Sequence, residues 1–144
     1  MLLLLLCSIN AIHGQNTETD SLKKLLATTS ESPQRVLILE GLSYAYVSAF
    51  PDTALQYALE GLQLAQKIND SVGEAYCTNT LGMVYFGVGD YPKALEMYLQ
   101  SLKMKERLKN QEHAIAVTYF NIANVYTELE TTGMPYTMLL KPSR

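Results

Sequence analysis

The sequence predicts an all-α protein, an array of stacked antiparallel helix pairs with about two and a half repeats. Three observations lead there. First, the stretch LGMVYFGVGDYPKALEMYLQSL, Leu81 to Leu102, occurs in variant form about forty residues to either side. Leu62 corresponds to Leu102, Ile68 to Leu108 and Ala54-Leu55 to Ala94-Leu95, while Tyr85 is matched 41 residues later by Tyr126 and 39 earlier by Tyr46. Second, the segments between breaks are long and carry the three-and-four spacing of a helix. Third, glycine and proline fall almost only at the breaks, and no alternating strand pattern competes. Units of this length bury their apolar faces on each other instead of around one globular core.

Each element follows from local signals. Asp20 or Ser21 can cap a short helix whose Leu22, Leu25 and Leu26 give one apolar side, suited to covering the open end of the array. Ser32 followed by Pro33 is a cap with proline at the first helical position, opening a helix to about Phe50. Pro51-Asp52 stops it and starts the next, which runs to about Asn69 with Ala54, Leu55, Ala58, Leu62 and Ala65 on one face. Asp70-Ser71 caps a third helix to about Val88, ended by the Gly87, Gly89, Asp90 turn. Pro92 opens a fourth to about Lys109, Asn110 breaks the register, and a fifth extends from Glu112 to Glu130. Domain by domain, a leader occupies 1–14, a linker with the covering helix 15–32, repeats 33–70, 71–110 and a partial 111–130, and an irregular tail 131–144.

Small residues face large ones in this pattern. Gly82 and Ala94 leave room for close helix approach, and Tyr85 and Tyr98 fill the space beside them. With Thr78, Leu81, Gly82, Tyr85, Ala94, Tyr98 and Ser101, the second unit resembles a tetratricopeptide repeat, whose pattern sets a small residue beside aromatic rings. Leu42, Ser43, Tyr46, Ala54, Ala58 and Gly61 fit the first unit, and Tyr119, Ile122, Ala123 and Tyr126 begin the third, so the resemblance covers Gln34 to Glu130. Thr78 stands where the family has tryptophan, and Glu106 where it has a late proline. The resemblance implies a right-handed α-solenoid, and units near forty residues look like the elongated subtype common in bacterial signalling proteins such as those of Bacteroidetes.

Composition bounds the function. Of 144 residues, 48% are hydrophobic and 17% charged, which is globular rather than disordered. The 11 basic and 14 acidic residues leave a net charge of −3 with no concentrated basic face, which speaks against nucleic acid. Lys103, Lys105, Arg107 and Lys109 alternate along a helix and read as a solvated surface. MLLLLLCSI is too apolar for an ordinary soluble start and too short to span a bilayer, so a secretory signal ending near Ala11 or Gly14 is the natural reading. A lipoprotein signal at Cys7 competes, against the bulky Leu6. Removing the leader leaves Cys77 alone, a small buried hydrophobe without an internal disulfide partner. The protein is expected at the periplasmic or extracytoplasmic face, with no membrane span in the mature segment.

The tail TTGMPYTMLLKPSR breaks the helical pattern where a partner helix is due. Read from the third base of Thr131, the codon across Met134 and Pro135 encodes Ala whatever synonymous codons are used, and the next four allow Leu, Tyr, Tyr and Ala. The tail thus reads as a frameshift product on a fragment of a longer array; the alternative is a natural disordered terminus. Either way the last helix lacks its partner. Ile115, Ile122 and Val125 are expected to be partly uncovered, which predicts marginal stability or self-association through that helix.

No catalytic constellation emerges. His113 beside Glu112 lacks metal-pair spacing, the acidic residues form no acid/base pair, and Gly87-Val88-Gly89 lacks the strand and Gly-Lys-Ser/Thr of a phosphate loop. The reading is a non-enzyme without cofactor or metal, and the ten tyrosines fall mostly at core positions. The resemblance implies binding of a protein or peptide in a groove lined by the first helix of each unit. Carried over, the groove positions are Glu40, Tyr44 and Val47, then Asn79, Met83 and Phe86, then Phe120, Asn121, Asn124 and Glu128. That lining is amide-rich, aromatic and mildly acidic without Lys or Arg, unlike family members that clamp peptide carboxylates with basic side chains. Amides and rings suit an extended peptide backbone. The expected role is the extracytoplasmic sensory or scaffold part of a signalling protein of histidine-kinase or transcriptional-regulator type; the alternative is a free-standing exported adaptor for envelope assembly.

Overall fold

The computed structural model describes residues 18–133; the leader read at 1–14, with Cys7, and residues 134–144 of the tail lie outside the described residues. Every regular element among the described residues is helical. They are α1 over 18–28, α2 (Pro33–Tyr46), α3 (Pro51–Lys67), α4 (Ser71–Gly87), α5 (Tyr91–Lys105) and α6 (Glu112–Thr132). None of these is long and apolar enough to cross a membrane.

α1 is already running at residue 18, so Asp20 and Ser21 stand inside it and do not cap it. Its packed side is Leu22 and Leu26, one turn apart. Leu26 joins the first core cluster and Leu22 reaches towards Gly41, whereas Leu25 points outward at 51% exposure. The open end of α1 is held by the Arg35 guanidinium, which donates to Leu26 O at 2.7 Å and Thr29 O at 2.8 Å.

Helix ends follow local chemistry where a signal exists. Ser32 Oγ accepts the Arg35 N–H at 3.3 Å with Pro33 at the first helical position. α2 ends at Tyr46 instead of near Phe50. A residue before proline is disfavoured in helical backbone, and Phe50 sits at φ −141, ψ 70, with Ala49 N–H donating to Tyr46 O at 3.2 Å in the intervening turn. α5 ends at Lys105, short of Lys109, through a similar turn in which Leu108 N–H donates to Lys105 O at 3.0 Å.

One junction design recurs between helices. Asn69 (φ 57) and Gly89 (φ 80) adopt left-handed backbone, and the next N–H groups, of Asp70 and Asp90, donate to Ala65 O at 2.8 Å and Tyr85 O at 2.9 Å. Each aspartate then caps the following helix, accepting Gly73 N–H at 3.0 Å and Lys93 N–H at 3.2 Å. One residue closes a helix and opens the next. Asn110 (φ 58) repeats the left-handed step before α6 without a capping carboxylate.

α2 packs on α4 and α4 on α6, forming one layer, while α3 packs against α2 and α4, and α5 against α4 and α6. The core is therefore strung along the array as two clusters. Val36, Leu39, Leu64, Ala65 and Cys77 make the first; Ala94, Leu95, Tyr98, Val125 and Leu129 make the second. Close approach is enforced by small residues. A Cβ on Gly82 would stand 2.6 Å from the Tyr98 ring, and one on Gly61 would stand 2.8 Å from Cys77 Sγ and 3.8 Å from Val36 O. Forty residues beyond Gly61, Ser101 occupies the matching place and donates from Oγ to Ala75 O at 2.7 Å. Ser43, which matches Gly82, likewise donates to Ala54 O at 2.8 Å. Where glycine is absent, a buried hydroxyl ties the same two backbones.

Two expectations change at the end of the array. Val125 is fully buried against the second cluster, and what α6 exposes is Val117, Tyr119, Phe120 and Tyr126. The tyrosines are also less interior than repeat position suggests. Among the described residues only Tyr98 is buried, and Tyr44, Tyr119 and Tyr126 are exposed.

Candidate functional site

Residues from four helices enclose a cavity of about 450 Å³ between the end of the first pair and α6. Val47 and Ser48 come from the turn after α2, Pro51 from the start of α3, Met83, Phe86 and Gly87 from α4, Tyr98 from α5, and Asn121 and Asn124 from α6. The turn after α2 places Val47 against Gly87, with Val47 Cγ1 3.6 Å from where a Cβ on Gly87 would stand, an ordinary contact distance. Phe86 is oriented by Tyr91, with ring centroids 5.6 Å apart. No charged side chain lines the cavity. Asn121, which lines the cavity, has a buried Nδ2 that is the one buried side-chain nitrogen or oxygen without a hydrogen-bond partner among the described residues. An amide held in that state favours an acceptor brought by a ligand.

The candidate groove residues divide into three groups. Val47, Met83, Phe86, Asn121 and Asn124 are brought together around the cavity. Tyr44 and Phe120 project into solvent, 61% and 65% exposed, and Glu128 is half-buried on α6 away from the lining. Glu40 and Asn79 belong to an interior polar chain instead. Thr80 Oγ1 donates to Glu40 Oε1 at 2.7 Å, the Lys105 ammonium donates to Thr118 Oγ1 at 2.9 Å, and Thr118 Oγ1 donates to Asn79 Oδ1 at 3.1 Å. Burial raises the Glu40 carboxyl above its usual range, with the Thr80 bond and the Lys105 charge pulling the other way. Burial likewise pushes the Lys105 ammonium down to about 8, against the opposing pull of Glu40.

Lys105 is the residue that sequence reasoning placed wrongly. It is 1% exposed, with its ammonium 5.0 Å from the Tyr76 ring centroid, and is not part of a solvated basic face. The signal was present in the spacing: Ala94, Tyr98, Ser101 and Lys105 form one helical stripe, and the first three are buried. A cation thus lies among the groove-layer helices after all, beside Glu40, although it is too deep to meet a ligand.

Among the repeat positions, Leu42, Ala54, Leu81, Gly82, Ala94 and Tyr98 are buried. Tyr46 and Tyr85 are half-buried, each with a lysine over its ring, Lys23 at 5.4 Å and Lys93 at 4.5 Å. Ile122 is half-buried, whereas Ala123 and Tyr126 are exposed on α6. Cys77 is fully buried and burial pushes its thiol up to about 12, a packed side chain rather than a nucleophile. Among the described residues no group of three or more His, Cys, Asp or Glu side chains could hold a metal ion. A second recess, at Thr29, Glu31, Arg35, Glu60 and Lys67, is polar, and its cations are already paired: Arg35 with Glu60 at 3.4 Å, Lys67 with Glu31 at 2.6 Å.

Comparison with known proteins adds two findings. The tetratricopeptide repeat family profile matches residues 36–107, half of the chain. Tonsoku-like protein of Mus musculus is 28% identical over 116 residues, covering 76% of this chain and 8% of that protein. The chain therefore spans less than a tenth of that relative's length. No solved structure matches it.

Proposed function

The chain belongs to the tetratricopeptide repeat family, and on that premise we propose that it is a protein-interaction module that takes an uncharged, extended peptide segment in the cavity between the α2–α3 turn, α4 and α6. One observation carries the reading. Five residues contributed by three successive layer segments, Val47, Met83, Phe86, Asn121 and Asn124, converge on one cavity that combines apolar walls with two side-chain amides, one of them carrying a buried nitrogen without a hydrogen-bond partner. Apolar walls favour a large aliphatic or aromatic side chain, and the Asn121 amide favours a backbone carbonyl beside it. A carboxylate would find no cation there.

Selection of a phage-displayed random peptide library against the chain tests this. The expected winners are rich in Leu, Ile, Phe or Tyr and poor in charge, and they lose about tenfold or more of their affinity with Phe86→Ala and with Asn121→Ala. Winners that are acidic, or that bind both variants unchanged, overturn the assignment.

The module's setting is proposed as the extracytoplasmic sensory or scaffold part of a bacterial signalling protein, with a free-standing exported adaptor as the alternative. Support comes from the apolar leader MLLLLLCSI and from repeat units near forty residues. A β-lactamase fused after residue 32 should protect a bacterial host from ampicillin, because the enzyme acts only once exported; a sensitive host removes the placement. Coding sequence downstream separates the two settings, since an apolar run of about 20 residues followed by an output module marks the signalling protein.

A further inference from the structure

Two rows of side chains run along the seam between α4 and α6. On α4 they are Asn79, Met83 and Phe86, and on α6 Thr118, Asn121 and Asn124, each step of three or four residues keeping to one side of its helix. The first rung is closed, with Thr118 Oγ1 3.1 Å from Asn79 Oδ1 and both residues buried. The next two rungs are walls of the cavity. α6 is thus pinned on either side of its two cavity amides, by Thr118 before them and by Val125 and Leu129 after them, where these join Ala94, Leu95 and Tyr98 in the second core cluster.

The two pins differ in kind. Burial of Val125 and Leu129 has no preferred direction, whereas a hydrogen bond holds its atoms to within about half an ångström of one separation. Thr118 is gripped from both neighbouring helices. The Lys105 ammonium of α5 donates to its Oγ1 at 2.9 Å, and its one proton is shared between Asn79 Oδ1 of α4 and its own helix, where Ala114 O stands 2.9 Å away. A methionine in place of Lys105 would fill the same space without the cost of desolvating an ammonium. What the buried cation adds is a fixed direction. We infer that Thr118 is a positioning residue for the cavity: tied to Lys105 and Asn79, it fixes the spacing of α4 and α6 one turn ahead of Asn121 and so sets the width at which the cavity grips a peptide. Asn121 lies only about 5 Å further along α6, so a displacement at Thr118 reaches it almost undiminished. The grip on a peptide rests on the function proposed above, whereas the helix spacing stands without it.

Thr118→Val keeps the shape and removes the hydroxyl, while Thr118→Ser keeps the hydroxyl and removes the methyl. In the full 144-residue chain labelled with methyl-carbon-13 methionine, Met83 reports on the peptide-free cavity by NMR, its resonance identified by its loss in Met83→Leu. The expected result is a Met83 methyl resonance displaced in Thr118→Val and back at its native position in Thr118→Ser. Asp70→Ala, a capping loss at the far end of α4, should leave it in place, which separates a moved helix from a general loss of stability. Peptides recovered by the selection above should bind Thr118→Val about tenfold more weakly than the native chain, and Thr118→Ser within about threefold of it. A Met83 resonance unmoved by Thr118→Val overturns the inference, and so does one that Thr118→Ser fails to restore, because the methyl group and not the hydroxyl is then at work. A displaced resonance with unchanged peptide affinity overturns the grip. Should Thr118→Val lose helical circular dichroism, Lys105→Leu, which removes the ammonium, takes its place under the same expectations. A selection that yields no binding peptide sinks the proposed function and leaves the Met83 resonance to decide the spacing, so the two ideas fail separately.

Discussion

Gly82 has no room for a methyl group, since an added Cβ would stand 2.6 Å from two carbons of the Tyr98 ring. Alanine would gain about 1 kcal/mol of helix propensity over glycine. Tyr98 is buried and cannot swing aside, so overpacking of roughly 1 to 3 kcal/mol outweighs that gain and Gly82→Ala destabilises. Tyr98→Ala opens a hole costing roughly 3 to 5 kcal/mol, by analogy with phenylalanine. With the hole present the extra methyl has space, so in that background Gly82→Ala becomes neutral or favourable. Urea unfolding of the double-mutant cycle checks this, and simply additive losses would place the ring elsewhere. Lys105 gives a pH signature. Its ammonium titrates near 8 in the fold and near 10.5 when unfolded, so between those values the unfolded chain binds more protons and stability rises with pH. Below about 8 the cost of the buried charge is fully present. Cys77 and Tyr98, both raised by burial, act in the opposite direction at higher pH, so the check is a difference. The stability of the native chain relative to Lys105→Met should increase from pH 8 to 10.5, and a flat difference would mean the ammonium is not held as the fold shows.

Helix ends show which parts of the array are written locally. Ser32-Pro33, Asp70 and Asp90 declare their caps in sequence because the whole interaction spans four residues. The ends at Tyr46 and Lys105 do not, because they depend on a turn whose geometry is decided by what the next helix packs against. Lys105 was misread for a related reason: the alternation of Lys103, Lys105, Arg107 and Lys109 suggested solvent, while the longer stripe from Ala94 decided the matter. The Asn69-Asp70 and Gly89-Asp90 junctions yield the prediction at this scale. Gly89→Ala forces a Cβ into left-handed backbone and should cost about 1 to 2 kcal/mol, although nothing stands near that position. Asp70→Ala removes the acceptor for the Gly73 N–H and should cost about 0.5 to 2 kcal/mol. Guanidinium midpoints measure both, and an unchanged midpoint for Gly89→Ala would contradict the left-handed assignment.

Across the whole molecule, periodicity made the stacked pairs legible, and the cavity was only half so. Val47, Met83, Phe86, Asn121 and Asn124 share it, but Glu40 and Asn79, on the same layer of helices, turn into the interior towards Thr80 and Thr118. Repeat position tells which layer a residue joins; it does not tell whether a neighbouring helix captures the side chain first. That capture matters for how the array behaves. α4 is flanked by α2, α3, α5 and α6, whereas α1 and α6 form the ends, so amide exchange should be slowest in α4 around Leu81 and fastest in α1 and the last turns of α6. Thr118 is the sharpest probe of the arrangement. Thr118→Val keeps the shape but removes the acceptor for the Lys105 ammonium and the donor to Asn79, a loss of roughly 1 to 3 kcal/mol. If stability passes between neighbours only, that loss should speed exchange in α5 and α6 and leave the slow amides of α2 and α3 nearly unchanged. Equal acceleration in all six helices would instead make the array one cooperative unit, in which the two core clusters melt together.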